Sequence, residues 1–80
     1  MDDHADTAGR PRKRSMTIAG HRTSISLEEP FWQALQEMAR AEGLSPTEFV
    51  TRIDAERGRI SLSSAIRLHL FAASRANIDR

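Results

Sequence analysis

Between His21 and Leu27 polar and apolar positions alternate, with Thr23, Ile25 and Leu27 on one face and Arg22, Ser24 and Ser26 on the other. A period of two, rich in β-branched residues, is the signature of a half-buried strand. No other run in the chain predicts one as clearly. A lone strand has no partner for its edges within its own chain, and even a two-stranded ribbon is marginal unless helices pack on it. The strand is therefore expected to pair with the same strand of a second copy.

After the strand the period changes to that of a helix, three times over. Glu28-Glu29-Pro30 opens the first helix, since acids suit its positive N-terminal end and proline is tolerated in the first turn. Phe31, Ala34, Leu35, Met38 and Ala39 form its apolar stripe, Trp32 flanks it, and Gly43 supplies the left-handed stop. Ser45-Pro46-Thr47-Glu48 is a second start, with a serine cap, proline at the first helical position and a glutamate placed to close a capping box. Phe49, Val50 and Ile53 are its buried stripe, and it should end near Arg57-Gly58. A third helix begins at Ser61, with Leu62, Ala65, Ile66, Leu70 and Ala73 along one stripe. Leu68, Phe71 and Ala72 widen that stripe, and so broad an apolar arc predicts packing on more than one neighbour, a partner chain included. Ser74 to Arg80 should fray. Ahead of all this, residues 1–16 have few large apolar side chains and contain Gly9 and Pro11; they read as a disordered arm, with the folded domain at 17–80.

Charge sharpens the division. Asp2, Asp3 and Asp6 make the first nine residues −3, whereas Arg10, Arg12, Lys13 and Arg14 make the next eleven +4. Residues 21–80 hold eight arginines and eight acids, so the three blocks sum to the net +1 of the whole. A basic cluster ahead of a neutral domain suits an arm that meets a polyanion, or else a solvated tail. All the basic residues but Lys13 are arginines, which suit two-pronged recognition of phosphate or guanine. With 80 residues the core is small, and with no cysteine neither disulfides nor thiolate zinc sites can support it, which leaves oligomerisation. His4, His21 and His69 are too scattered to form a ligand set, so no metal or cofactor is expected. The chain has no Gly-x-Ser-x-Gly, no phosphate-cradling glycine loop and no His-Glu-x-x-His, which argues against an enzyme. No apolar run approaches the roughly 18 residues of a membrane span. The acidic N-terminus argues against a secretory signal, so a cytoplasmic protein is expected.

The run Arg22-Thr23-Ser24-Ile25-Ser26-Leu27, two acids, a helix ending Met38-Ala39-Arg40-Ala41-Glu42-Gly43-Leu44-Ser45 and a capped second helix together resemble the ribbon-helix-helix family of the Arc and MetJ repressors. The resemblance covers about residues 21–57 and is nearest the short plasmid copy-control repressors. Ile60-Ser61-Leu62-Ser63-Ser64-Ala65-Ile66-Arg67 looks like a bacterial subgroup with an additional C-terminal helix.

This resemblance implies a mainly α homodimer in which one N-terminal strand per chain forms an intermolecular antiparallel ribbon, with a third helix added. The ribbon would enter the major groove of double-stranded DNA. Arg22, Ser24 and Ser26 match the family's base-reading positions. The helix start at Ser45, Thr47 and Glu48 matches its phosphate clamp, with Arg10, Arg12, Lys13 and Arg14 as further phosphate contacts. Thr23, Ile25, Leu27, Phe31, Leu35, Phe49, Ile53, Ile66 and Leu70 should form the core shared by the two chains. The third helix is expected to seal that dimer or to pair dimers along DNA. Pro46, which lacks an N–H, and Glu48, which is negative, both depart from an ideal clamp. The implied function is transcriptional regulation, most simply repression by occlusion. The alternative is a protein-interaction module of the same fold, antitoxin-like or an adaptor, with weak DNA binding or none.

Overall fold

A computed structural model describes residues 10–78. Two strands, β1 (Pro11–Ile18) and β2 (His21–Glu28), form an antiparallel hairpin, followed by helices α1 (Glu29–Ala41), α2 (Pro46–Glu56) and α3 (Leu62–Ile78). The fold is that of a two-stranded ribbon and two helices with a third helix appended.

Strand β1 corrects the expectation of a disordered arm, because residues 11–16 belong to it. Residues 1–9 of that arm lie outside the described residues. The strand predicted to need a second copy finds its partner within its own chain. The turn explains how: Ala19 and Gly20 both have positive φ, 52° and 84°. A two-residue loop of that kind is the type I′ turn, whose twist matches that of the strands it joins. Facing pairs run from Ile18↔His21 at the turn to Pro11↔Glu28 at the far end.

Because side chains alternate across a strand, this register sorts the hairpin into two faces. Arg12, Arg14, Met16 and Ile18 share the inner face with Leu27, Ile25, Thr23 and His21. Lys13, Ser15 and Thr17 share the outer face with Ser26, Ser24 and Arg22.

The helices start and stop where local chemistry dictates. Proline stands in the first turn of α1, and the helix closes at Gly43 (φ 73°), whose N–H donates to the Arg40 carbonyl while that of Leu44 donates to Ala39. These crossed bonds are the Schellman arrangement. In α2 the capping box forms as the spacing predicts. Glu48 N–H donates to Ser45 Oγ at 3.1 Å, and Ser45 N–H donates to the Glu48 carboxylate at 2.8 Å. Ser61 Oγ caps α3 by accepting from Ser64 N–H. This helix runs on to Ile78, so Ser74 to Ile78 is helical rather than frayed, and residues 79–80 lie outside the described residues.

One core joins the inner face of the hairpin to all three helices. Ile18, Ile25, Leu27, Trp32, Leu35, Ala39, Phe49, Val50, Ile53, Ala65, Ile66 and Leu70 are buried in it. Most of the residues expected in a shared core thus already lie in the core of a single chain. Thr23 and Phe31 are only half-buried, Thr23 near the turn of the hairpin and Phe31 at the core's margin. No buried side-chain polar atom among the described residues is without a hydrogen-bond partner.

Candidate nucleic-acid interface

Pairing places the predicted strand positions in one patch. Arg22 and Ser24 are exposed on the outer face and Ser26 is half-buried there. Across the ladder stand Thr17, Ser15 and Lys13, all exposed. The face is therefore two rows, Arg-Ser-Ser and Thr-Ser-Lys, of hydroxyls with a cation at opposite corners. The Arg22 Nη1 donor lies 3.5 Å from Thr17 Oγ1, a contact long enough to yield readily to a ligand. Sequence reasoning missed Ser15 and Thr17, and treated Lys13 as one charge in a cluster rather than a strand position. The alternation Lys13-Ser15-Thr17 against Arg14-Met16-Ile18 was the available signal.

The four basic residues before the turn do not act together. Arg10 is exposed ahead of β1, and Lys13 is on the outer face. Arg12 and Arg14 are on the inner face, at the margin of the core. Arg12 Nη1 is 3.3 Å from Glu29 Oε1 and Arg14 Nη2 is 3.9 Å from the same atom. The Arg14 guanidinium also stacks over the Trp32 ring at 4.9 Å, and Trp32 Nε1–H donates to the Arg12 carbonyl at 2.9 Å. Arginine covers apolar surface with its stem while its head stays charged, so two arginines can serve as the last inward positions of a strand.

At the far end of β2 the outer face meets its only acid, Glu28. Its carboxylate accepts from Arg67 Nε at 3.0 Å and pairs with Nη2 at 2.9 Å, and Nη2 also reaches the Ser26 carbonyl at 3.4 Å. A bond from its own backbone N–H, and then Arg67, hold the Glu28 carboxyl below the usual glutamate range. This pair ties α3 to the end of the ribbon and neutralises the one negative charge there.

The start of α2 is less open than a bare helix end. Pro46 has no N–H, and those of Ser45, Glu48 and Phe49 are already taken by the Glu48 carboxylate, Ser45 Oγ and the Ser45 carbonyl. Thr47 carries the remaining amide of the first turn. The Glu48 carboxyl is held below its usual range by the Ser45 backbone N–H and then by the Ser45 hydroxyl. Its carboxylate thus sits where an external anion would be received. Arg52 near this end is exposed and loosely paired with Glu42 at 3.8 Å.

Among the described residues no group of His, Asp and Glu could hold a metal ion, and no helix is long and apolar enough to cross a membrane. His69 is exposed on α3 and sets its ring edge-on to Phe49 at 5.3 Å.

A family model described as a ribbon-helix-helix domain matches residues 11–74, so the match takes in β1 as well as the strand and helices that carried the resemblance. No curated protein and no solved structure matches the chain.

Proposed function

The chain belongs to the ribbon-helix-helix family, and from that premise we propose that it is a sequence-specific DNA-binding regulator, acting as a homodimer and repressing by occlusion. Domains of this family typically bind DNA and form homodimers, and the family is non-enzymatic. The observation that carries the reading is the outer face of the hairpin. It gathers Arg22, Ser24 and Ser26 opposite Thr17, Ser15 and Lys13, with no carboxylate until Glu28, which Arg67 holds.

The chemistry suits base edges. Arg22 can donate two parallel hydrogen bonds to O6 and N7 of a guanine, worth about 1–3 kcal/mol of discrimination. The hydroxyls donate or accept as the base requires. Lys13 and Arg10 are the cations best placed for phosphates, whereas Arg12 and Arg14 are already engaged by Glu29 and Trp32. The start of α2 contributes through the Thr47 amide, with Ser45 and Glu48 holding its geometry. Glu48 limits the affinity of that contact.

Fluorescence-anisotropy titration of the full chain against the gene's upstream region and a pool of random duplexes tests the proposal. Selective binding that Arg22→Ala weakens by about 10–100-fold is expected. Weak, unselective binding indifferent to Arg22 would overturn it, leaving the basic residues as a general attractor for polyanions.

A further inference from the structure

The two strands of the hairpin carry the same sequence pattern. Lys13-Arg14-Ser15-Met16-Thr17-Ile18 and Arg22-Thr23-Ser24-Ile25-Ser26-Leu27 each read cation, variable residue, serine, apolar residue, hydroxyl, apolar residue. The pairing turns this repeat into a symmetry. Lys13 faces Ser26, Ser15 faces Ser24 and Thr17 faces Arg22. Half a turn about an axis normal to the sheet, through the Ser15↔Ser24 pair, therefore carries Lys13 onto Arg22, Ser15 onto Ser24 and Thr17 onto Ser26. On the inner face it carries Met16 onto Ile25 and Ile18 onto Leu27, all of them in the core or packed against it. Arg14, which stacks on Trp32, maps onto Thr23 and is where the two halves differ most.

The strands of a DNA duplex are antiparallel and are themselves related by half-turns normal to the helix axis, so a two-fold protein surface meets both with the same chemistry, and a palindromic site mirrors its symmetry. The geometry points to a complete, near-symmetric reading unit within each single chain: one hairpin recognises one imperfect inverted repeat, with Lys13 in the place on one half that Arg22 holds on the other. The inference rests on the DNA-binding reading of the outer face and adds the form of the sequence it would select. Each chain of a homodimer then brings an inverted repeat of its own, rather than one half of a shared one.

Spacing and residue type define that repeat. Lys13 and Arg22 stand four residues apart along the ladder, at opposite corners of the face. At about 3.3 Å per residue that is about 13 Å along the strands, close to four base-pair steps of about 3.4 Å. Guanines on opposite strands, about four base pairs apart, are the targets this spacing suits. The imperfection follows from the side chains. Arg22 presents a planar fork that fixes two parallel bonds to a guanine, whereas Lys13 is a flexible point charge that accepts a phosphate as readily as a base. The Arg22 end should demand its guanine, and the Lys13 end should only favour one. Between them Ser15 and Ser24 donate or accept, so the centre of the repeat is permissive.

Selection of duplexes from a random pool by the full chain is the test, run for wild type, Lys13→Arg and Arg22→Ala. Both positions are exposed, so the fold should survive, and circular dichroism checks that it does. Wild type is expected to enrich an element with one strict guanine and a weaker guanine preference on the opposite strand, about four base pairs away. Arg22→Ala should erase the strict preference. Lys13→Arg should make the weaker one strict and favour a perfect inverted repeat over the wild-type element by about tenfold. A Lys13→Arg chain that binds every duplex equally more tightly, or gains its new preference anywhere but the symmetry-related place, would overturn the inference and leave the DNA-binding reading standing. A wild type that enriches no sequence would overturn both.

Discussion

On the inner face of the hairpin, Arg12 and Arg14 are held by Glu29 and the Trp32 ring; one residue away, on the outer face, Lys13 stands across from Ser26 and its diagonal counterpart Arg22 reaches the Thr17 hydroxyl. The residue types are nearly the same and the backbone is shared. What differs is the side of the pleat. A strand's period of two converts neighbours in sequence into opposite environments, so a cluster of four cations divides into structural and available members. Counting charge along the chain cannot see that division. A positive stretch ahead of a neutral domain looked like one feature, and the register makes it two.

The largest way to break the comparison is to remove what holds the inner face. Trp32→Ala takes away a buried ring, the surface on which Arg14 stacks and the donor to the Arg12 carbonyl. A loss of about 3–5 kcal/mol is expected, a large share of the stability of so small a chain. Urea unfolding followed by circular dichroism would show it as a collapse of the midpoint.

A smaller and more discriminating pair is Arg14→Ala against Lys13→Ala. The Arg14 change should cost about 0.5–1 kcal/mol in unfolding free energy and leave the salt dependence of DNA binding unaltered. Lys13→Ala should leave stability alone and reduce the logarithmic salt slope by about 0.9 for each phosphate that the lysine neutralises. The reverse assignment would mean that the two faces have been exchanged.

The smallest effect is electrostatic. The Glu28 and Glu48 carboxyls are both held below their usual range in the folded chain. A lowered folded-state pKa contributes stability that is fully present above the unfolded value of about 4.3 and is lost as pH falls through the lowered one. Stability should therefore be insensitive to these two groups from neutrality to about pH 5 and decline below that. Glu28→Gln should flatten the decline, as thermal melts at several pH values would reveal.

Much of the fold could be read from the residues alone, because its punctuation is strong. Gly43, the Ser45–Glu48 box and the Ser61 cap act locally, and each works in the structure as its spacing implies. Strand β2 was visible because Ile25 and Leu27 sit where an alternating pattern needs them. Strand β1 was hidden for a physical reason: two of its inward positions hold arginines, whose guanidinium groups are taken up by Glu29 and the Trp32 ring while their charges dominate the pattern. Its turn was hidden as well, since Ala19 adopts a positive φ that alanine disfavours, in place of the Asn-Gly or Asp-Gly that advertises a type I′ turn. Half of the outer face went unread with it. The breadth of the third helix was legible, and Leu68, Phe71 and Ala72, which widened its stripe, are all left exposed.

The most direct test of the central claim is an amide and side-chain NMR titration of the full chain with a bound duplex. The account predicts the largest shifts at Lys13, Ser15, Thr17, Arg22, Ser24 and Ser26, a smaller one at Thr47, and little change at the Arg14 guanidinium or the Trp32 indole. Shifts centred on Arg12, Arg14 and Trp32, or on α3 with the outer face silent, would contradict it.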